Sequence, residues 1–209
     1  MKIDIHTHLP GHSLHVLSIM NLMPEEECVP DQYCSIGLHP WNIGPNFHDE
    51  IEKIRDFAAK KNVLLIGETG LDKLRGAELK LQETVFIEHI RISEEIGKPL
   101  IIHCVKAFDE IISMRKRMHP HQQWVIHGFR GKPQQAHQLL DNGFHLSFGE
   151  HFNPDSLALA FDRNSAWLET DESAYSIEEI YAQAARTLHI TTEGLEGLIM
   201  QQFSSLLKF

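Results

Sequence analysis

Several apolar runs in this chain end in histidine or a carboxylate, the side chains that hold divalent metal ions. Lys2-Ile3-Asp4-Ile5-His6-Thr7-His8 reads as a short strand finishing in a His-x-His pair. Leu100-Ile101-Ile102 runs into His103, and Trp124-Val125-Ile126 runs into His127. Val63 to Gly67 reaches Glu68, and Ala166-Trp167-Leu168 reaches Glu169-Thr170-Asp171. Neutral imidazole suits zinc, manganese, iron or cobalt, and carboxylates add hard oxygen donors. Residues two apart on a strand share a side, so His6 and His8 can reach one ion, with Asp4 beside them as an orienting partner. The six donors His6, His8, Glu68, His103, His127 and Asp171 exceed what one catalytic zinc needs. They suit two divalent ions, zinc, manganese, magnesium or similar, sharing a bridging carboxylate and a water. Taken alone, Glu68 could instead favour the N-terminus of a following helix, and Asp171 could cap one.

Such donors converge only if the strands that carry them lie parallel with their C-terminal ends on one face. The apolar runs read as strands at Ile3–His6, His15–Met20, Cys34–Leu38, Val63–Gly67, Leu100–His103, Trp124–His127, Phe144–Phe148 and Ala166–Glu169. Ile51, Ile54, Phe57 and Ala58 mark a helix face between Asp49 and Lys61. Leu81, Val85, Ile92 and Ile96 mark a longer helix stopped by Gly97 and Pro99. Phe108, Ile111 and Ile112 mark a third, and Pro133 opens a fourth that Gly143 closes. Ile177 to Leu188 and Leu195 to Leu207 make two more. Strands mostly alternating with helices predict an α/β fold, a TIM-type (β/α)₈ barrel. Only Leu9 to Leu14 separates the first two strands, too few residues for a crossover helix, so the barrel is compact and distorted there, or the second strand lies elsewhere.

At 209 residues, without repeats or a long linker, residues 1–209 read as a single domain. No apolar run approaches the roughly 20 residues that span a bilayer, and no basic-then-apolar leader opens the chain. The expectation is a cytoplasmic protein with no membrane partner. Cys28, Cys34 and Cys104 form no disulfide framework or paired zinc motif and are expected as free thiols. A net charge of −10 argues against a broad nucleic-acid-binding surface, although bound cations reverse the field inside a pocket.

In Asp4-Ile5-His6-Thr7-His8-Leu9, Gly37-Leu38-His39-Pro40-Trp41, Gly67-Glu68-Thr69-Gly70-Leu71-Asp72, Lys98 to His103, His127 to Gly131 and Leu168 to Asp171, the chain resembles the TatD family of metal-dependent hydrolases. These segments follow the family order through nearly the whole length. The resemblance implies that His6, His8, Glu68, His103, His127 and Asp171 are the metal ligands. It also implies divalent-metal-dependent deoxyribonuclease and 3′–5′ exonuclease activity, on a small-molecule or DNA-end phosphodiester. Three departures concern the substrate wall. Val105 stands where the family carries an arginine that can contact phosphate. Arg130 appears within His127-Gly128-Phe129-Arg130-Gly131, and the loop after Asp171 is cut to Glu172-Ser173-Ala174-Tyr175. Lys106 or Arg130 could supply the lost phosphate contact.

His39 follows the third strand and could contact substrate, or be structural. Trp41 could stack a base or simply pack. His151 is a further pocket candidate. His12, His15, His48, His89, His119, His121, His137, His145 and His189 read as surface or helix residues, and Cys104 as a buried small side chain. The expected catalysis is attack by a metal-activated water, with Asp171 also accepting its proton and Asp4 and Asp72 orienting ligands. Amide, ester or lactone hydrolysis would use the same metals, and a non-catalytic metal-binding scaffold is the remaining reading. The residues leave the oligomeric state open.

Overall fold

Strands buried on both faces need apolar side chains at nearly every position, and most of the eight apolar runs form strands of that kind, the second being largely half-buried. The computed structural model describes residues 1–9, 15–29 and 31–206. In chain order its elements are β1 (Lys2–Thr7), β2 (Val16–Leu22), β3 (Tyr33–Ile36), α1 (Phe47–Ala58), β4 (Val63–Asp72), α2 (Leu79–Ile96), β5 (Leu100–Val105), α3 (Phe108–Met118), β6 (Trp124–Ile126), α4 (Pro133–Asp141), β7 (Phe144–Phe148), α5 (Pro154–Asp162), β8 (Ala166–Leu168), α6 (Ile177–Leu188) and α7 (Thr192–Leu206). The strands hydrogen-bond in the order β1 to β8, with parallel pairing at β1–β2, β3–β4, β4–β5 and β7–β8. This is the connectivity expected of a (β/α)₈ fold.

The chain divides into two compact units, a terminal unit of Met1–Met20 with Ile126–Phe209 and a central unit of Asn21–Val125. In the terminal unit, the backbone beyond β8 returns to β1. The Asp171 N–H donates to the His6 carbonyl at 2.9 Å, and the His8 N–H donates to the Asp171 carbonyl at 3.1 Å. Tyr181 on α6 is buried against β1, where its hydroxyl accepts from the Ile3 N–H (2.9 Å) and donates to the Ile3 carbonyl (3.0 Å). Trp167 of β8 meets Phe203 of α7 edge-on. In the central unit, Ile54 of α1, Phe86 of α2 and the β4 run Val63 to Ile66 form an apolar core, with the Phe86 and Trp124 rings 5.4 Å apart. Aromatic pairs of this kind contribute beyond the area they bury.

Three features differ from the sequence expectations. β4 does not end at Gly67 but runs ten residues, entirely buried, to Asp72. Its pairing with β5 slips between Ile66 and Thr69, so Glu68 sits in a bulge rather than at a strand end. An additional helix, α5, is opened by Asn153, whose side chain accepts from the Ser156 N–H, and by Pro154. Cys28 and Cys34 are not free thiols but a disulfide, since the turn before β3 brings their Cα atoms to 6.6 Å. The connection before β2 offers no helix among its described residues, and the part of it from 10 to 14, with His12, lies outside them, as does Leu207. Among the described residues, no helix is long and apolar enough to cross a membrane.

Candidate metal centres

In the terminal unit, β1 delivers His6 fully buried, and His8 follows just beyond the strand. The two rings meet edge to face at 5.1 Å, and the His6 and His127 rings lie 4.5 Å apart. Asp171 Oδ1 stands 3.7 Å from His6 Nε2 and 3.6 Å from His8 Nε2. Ligand atoms of His6, His127 and Asp171 all fall within 4.8 Å of one another. Metal–nitrogen and metal–oxygen bonds of about 2.1 Å separate two ligands of one ion by roughly 3.0–3.5 Å, so this donor set fits a divalent ion with small adjustments.

Asp171 is positioned by its own turn. It adopts φ 54°, a left-handed conformation more accessible to Asp than to most residues. Asp4, buried in β1, holds the preceding residue, accepting from the Thr170 N–H (3.0 Å) and hydroxyl (2.8 Å). Asp4 therefore orients the Asp171 turn through Thr170. Burial raises its pKa to about 7.

Sequence reasoning passed over Glu169, which is fully buried. Its Oε1 accepts from the Gly128 N–H (2.5 Å) and lies 3.5 Å from His127 Nδ1. Burial would raise this carboxyl, but the hydrogen bond and charge of His127 outweigh it and hold the group below the usual carboxylate range. The signal was available: an acid two residues before Asp171, directly after an apolar strand. Glu169, Asp171, Arg130, His151, Glu150 and Thr170 line a cavity of about 220 Å³ within this unit.

The central unit gathers the other donors. His103 Nδ1 lies 3.0 Å from Glu68 Oε1, and its Nε2 lies 3.2 Å from Asp72 Oδ2. The bulge that presents Glu68 depends on Gly67, whose φ is +129° and where any Cβ would sit 2.2 Å from the Ile101 carbonyl oxygen. Asn21 Oδ1 accepts the Glu68 N–H at 2.7 Å and fixes that turn of backbone. His39 Nε2 lies 3.2 Å from the same Glu68 oxygen. Its Nδ1 accepts the Trp41 N–H, so in the neutral ring Nε2 carries the proton and donates to Glu68. Ligand atoms of His39, Glu68 and His103 again lie within 4.8 Å of one another. Asp72 is buried, which would raise it, but hydrogen bonds from Trp41 and the Leu74 N–H, with His103, bring its pKa below the usual value.

The structure thus groups His6, His8, His127 and Asp171 in one unit, and Glu68, His103, His39 and Asp72 in the other. Lys106 joins neither group. It is exposed, at φ 55°, with no ion pair among the described residues. Arg130 does reach a cavity wall. His89 is a helix residue as expected but wholly buried, linking α2 to the residue before His39. Its Nε2 accepts the Leu38 N–H (3.0 Å) and its Nδ1 faces the Val85 carbonyl (2.8 Å). Burial pushes the Cys104 thiol up to about 12, leaving it protonated at neutral pH.

Among relatives, the Escherichia coli (strain K12) protein named "Uncharacterized metal-dependent hydrolase YcfH" is 35% identical over 144 residues, covering 68% of this chain and 51% of its own length. The chain therefore spans about half the length of that curated relative. The crystal structure of YjjV, a TatD homologue from Escherichia coli K12, superposes with a TM-score of 0.82 at 20% identity, covering 100% of this chain and 98% of that one. A TatD family hydrolase from Entamoeba histolytica superposes at 0.75 with 15% identity, covering 99% and 97%. At these identities the superpositions establish the (β/α)₈ fold. The model of the family described as TatD related DNase matches residues 10–176, and the chain belongs to that family.

Proposed function

We propose that the chain is a divalent-metal-dependent phosphodiesterase, a deoxyribonuclease of the 3′–5′ exonuclease kind acting on small or DNA-end phosphodiesters. The observation that carries the reading is in the terminal unit, where Asp171, grouped with His6 and His127, also lines the cavity that holds Arg130. Family membership and the mixed imidazole and carboxylate donor sets support it. One divalent ion in each histidine–carboxylate cluster would supply Lewis acidity toward phosphate oxygen and lower the pKa of water to near neutrality.

The chain's own residues have separable roles. Asp171 is the general base, with a second carboxylate oxygen to accept the attacking water's proton. Glu169 holds the Nδ1 side of His127, and Asp72 holds the Nε2 side of His103, so each ring presents its other nitrogen as a ligand atom. Arg130 contacts non-reacting phosphate oxygens from the cavity wall, as a guanidinium can do with two parallel N–H groups. His39 donates through Nε2, either to Glu68 or to a substrate oxygen. A net charge of −10 favours a substrate held at one end over a duplex gripped along its length.

The test is a panel of bis(p-nitrophenyl) phosphate against p-nitrophenyl acyl esters and a lactone, with manganese or zinc supplied. The reading predicts that only the phosphodiester is hydrolysed at a substantial rate, and preferential acyl hydrolysis would replace it with the amidohydrolase alternative. Arg130→Ala should raise KM for the phosphodiester about tenfold, the loss expected for one charge-assisted contact. An unchanged KM removes Arg130 from substrate binding.

A further inference from the structure

The loop after β4 carries a cation that the roles above leave unused. Asp72 ends the strand and ties the loop down. Its Oδ1 accepts the backbone N–H groups of Leu74 (2.8 Å) and Arg75 (3.1 Å), while its Oδ2 accepts the Trp41 indole N–H (2.7 Å). Gln82 of α2, 1% exposed, clamps the same loop. Its Oε1 accepts the Asp72 N–H (2.7 Å), and its Nε2 donates among the carbonyls of Asp72 (2.9 Å), Arg75 (3.3 Å) and Ala77 (2.6 Å). Gly76, at φ +93°, lets the loop lie against the Pro40 carbonyl, where a Cβ would come within 2.4 Å of oxygen. The two bonds between Gln82 and the Asp72 backbone are buried, and the others are part-buried.

What this scaffold holds up is Arg75. Its guanidinium carbon sits 3.8 Å from the centre of the Trp41 ring. Among the described residues Arg75 makes no ion pair, in a chain with 29 acidic residues, whereas neighbouring Lys73 is paired with Glu110 at 2.5 Å. The Trp41 ring lies 4.7 Å from His39 and 5.6 Å from His103. The cation is therefore one ring removed from the Glu68–His103 cluster, in a position fixed by Asp72, which touches both. Trp41 and Leu74, 41% and 73% exposed, flank it with apolar surface.

We propose that Arg75, held against Trp41, binds a phosphate of the substrate beside the Glu68–His103 cluster of the same unit, and that an oligonucleotide is therefore preferred over an isolated phosphodiester. The inference rests on the phosphodiester reading above. Trp41 contacts both the guanidinium and the His103 ring, so Arg75 is placed for a phosphate beside that cluster rather than at its donor atoms. Stacking leaves its N–H donors available for bidentate contact with an oxyanion and limits the rotamer freedom lost on binding. In a chain of negative net charge, such a fixed and unpaired cation is what draws in a polyanion's end.

Fluorescence anisotropy with a labelled single-stranded phosphorothioate pentanucleotide, which resists hydrolysis, tests this on the metal-loaded full chain across a salt series. Arg75→Ala should weaken binding at least about tenfold and reduce the slope of log K against log salt by about one. Arg75→Lys should restore the slope but only part of the affinity, because it keeps the charge and loses the plane. Arg91→Ala, on the exposed face of α2 beside Glu88, should change neither. Wild-type affinity and slope in Arg75→Ala would overturn the proposal, as would a wild-type chain that does not bind the probe. Hydrolysis of bis(p-nitrophenyl) phosphate, which has one phosphate, is read separately. Its absence alongside Arg75-dependent binding would remove the phosphodiesterase reading and keep the anion site.

Discussion

His103 has a carboxylate at each ring nitrogen, Glu68 at 3.0 Å and Asp72 at 3.2 Å, and such an arrangement both fixes a ring and makes it a stronger donor. His103→Ala or Asp171→Asn should lower kcat for a phosphodiester by roughly 10²–10⁴ in metal-replete buffer, and near-normal turnover would cancel the role of that residue. Glu169→Gln keeps the shape but loses the charge facing His127. Metal affinity should fall roughly 10–100-fold, measured by competition with a chromogenic chelator. His89 gives a prediction independent of metal. Burial lowers its pKa from 6.5 to about 4, so the unfolded chain takes up a proton below pH 6.5 that the folded chain refuses until about pH 4. Stability from this group is complete above pH 6.5 and declines by about 3 kcal/mol as the pH falls to 4. In denaturant titrations the His89→Gln variant should lose less stability over that window than wild type, and an equal loss would assign the decline to other groups. At this scale the sequence named most of the grouped residues, because strand ends are readable. It missed Glu169, Gln82 and the burial of His89, since buried polar partners follow from folding and carry no periodic pattern.

Elements decide how far those side chains can move. Glu68 depends on the bulge in β4, and the bulge depends on Gly67, where a Cβ would meet the Ile101 carbonyl oxygen at 2.2 Å. Gly67→Ala should cost about 3 kcal/mol or more in chemical denaturation and reduce metal uptake, and an unaltered midpoint would show that β4 and β5 can separate locally. At the start of α6, Ser176 and Glu179 form a capping box, so Ser176→Ala should cost about 1 kcal/mol without changing metal content. Apolar runs located all eight strands, and proline and glycine located most helix ends. The reading ended β4 early because Gly67 resembles a strand stop, whereas here glycine permits close approach to β5. It omitted α5, whose Asn153-Pro154 start is short and sparsely patterned. It also left Cys28 and Cys34 apart, because their pairing depends on a turn that spacing alone does not reveal.

For the molecule as a whole, strand order and family followed from the sequence because the motifs are spread through most of the chain in a fixed order. The substrate wall was less legible. Val105, Arg130 and the short segment after Asp171 mark a departure from the family pattern without stating its consequence, and the place of Arg75 depends on Trp41 and Asp72, which no motif links to it. Each histidine–carboxylate cluster is expected to take one divalent ion, and phosphodiester hydrolysis to depend on both. The most direct measurement is stepwise manganese addition to chelator-treated protein, following bound metal and bis(p-nitrophenyl) phosphate hydrolysis together. Bound metal should saturate at two ions per chain, with hydrolysis absent at the start and rising as the sites fill. Full hydrolysis in the chelated protein, or two bound ions with no phosphodiester cleaved, would contradict it.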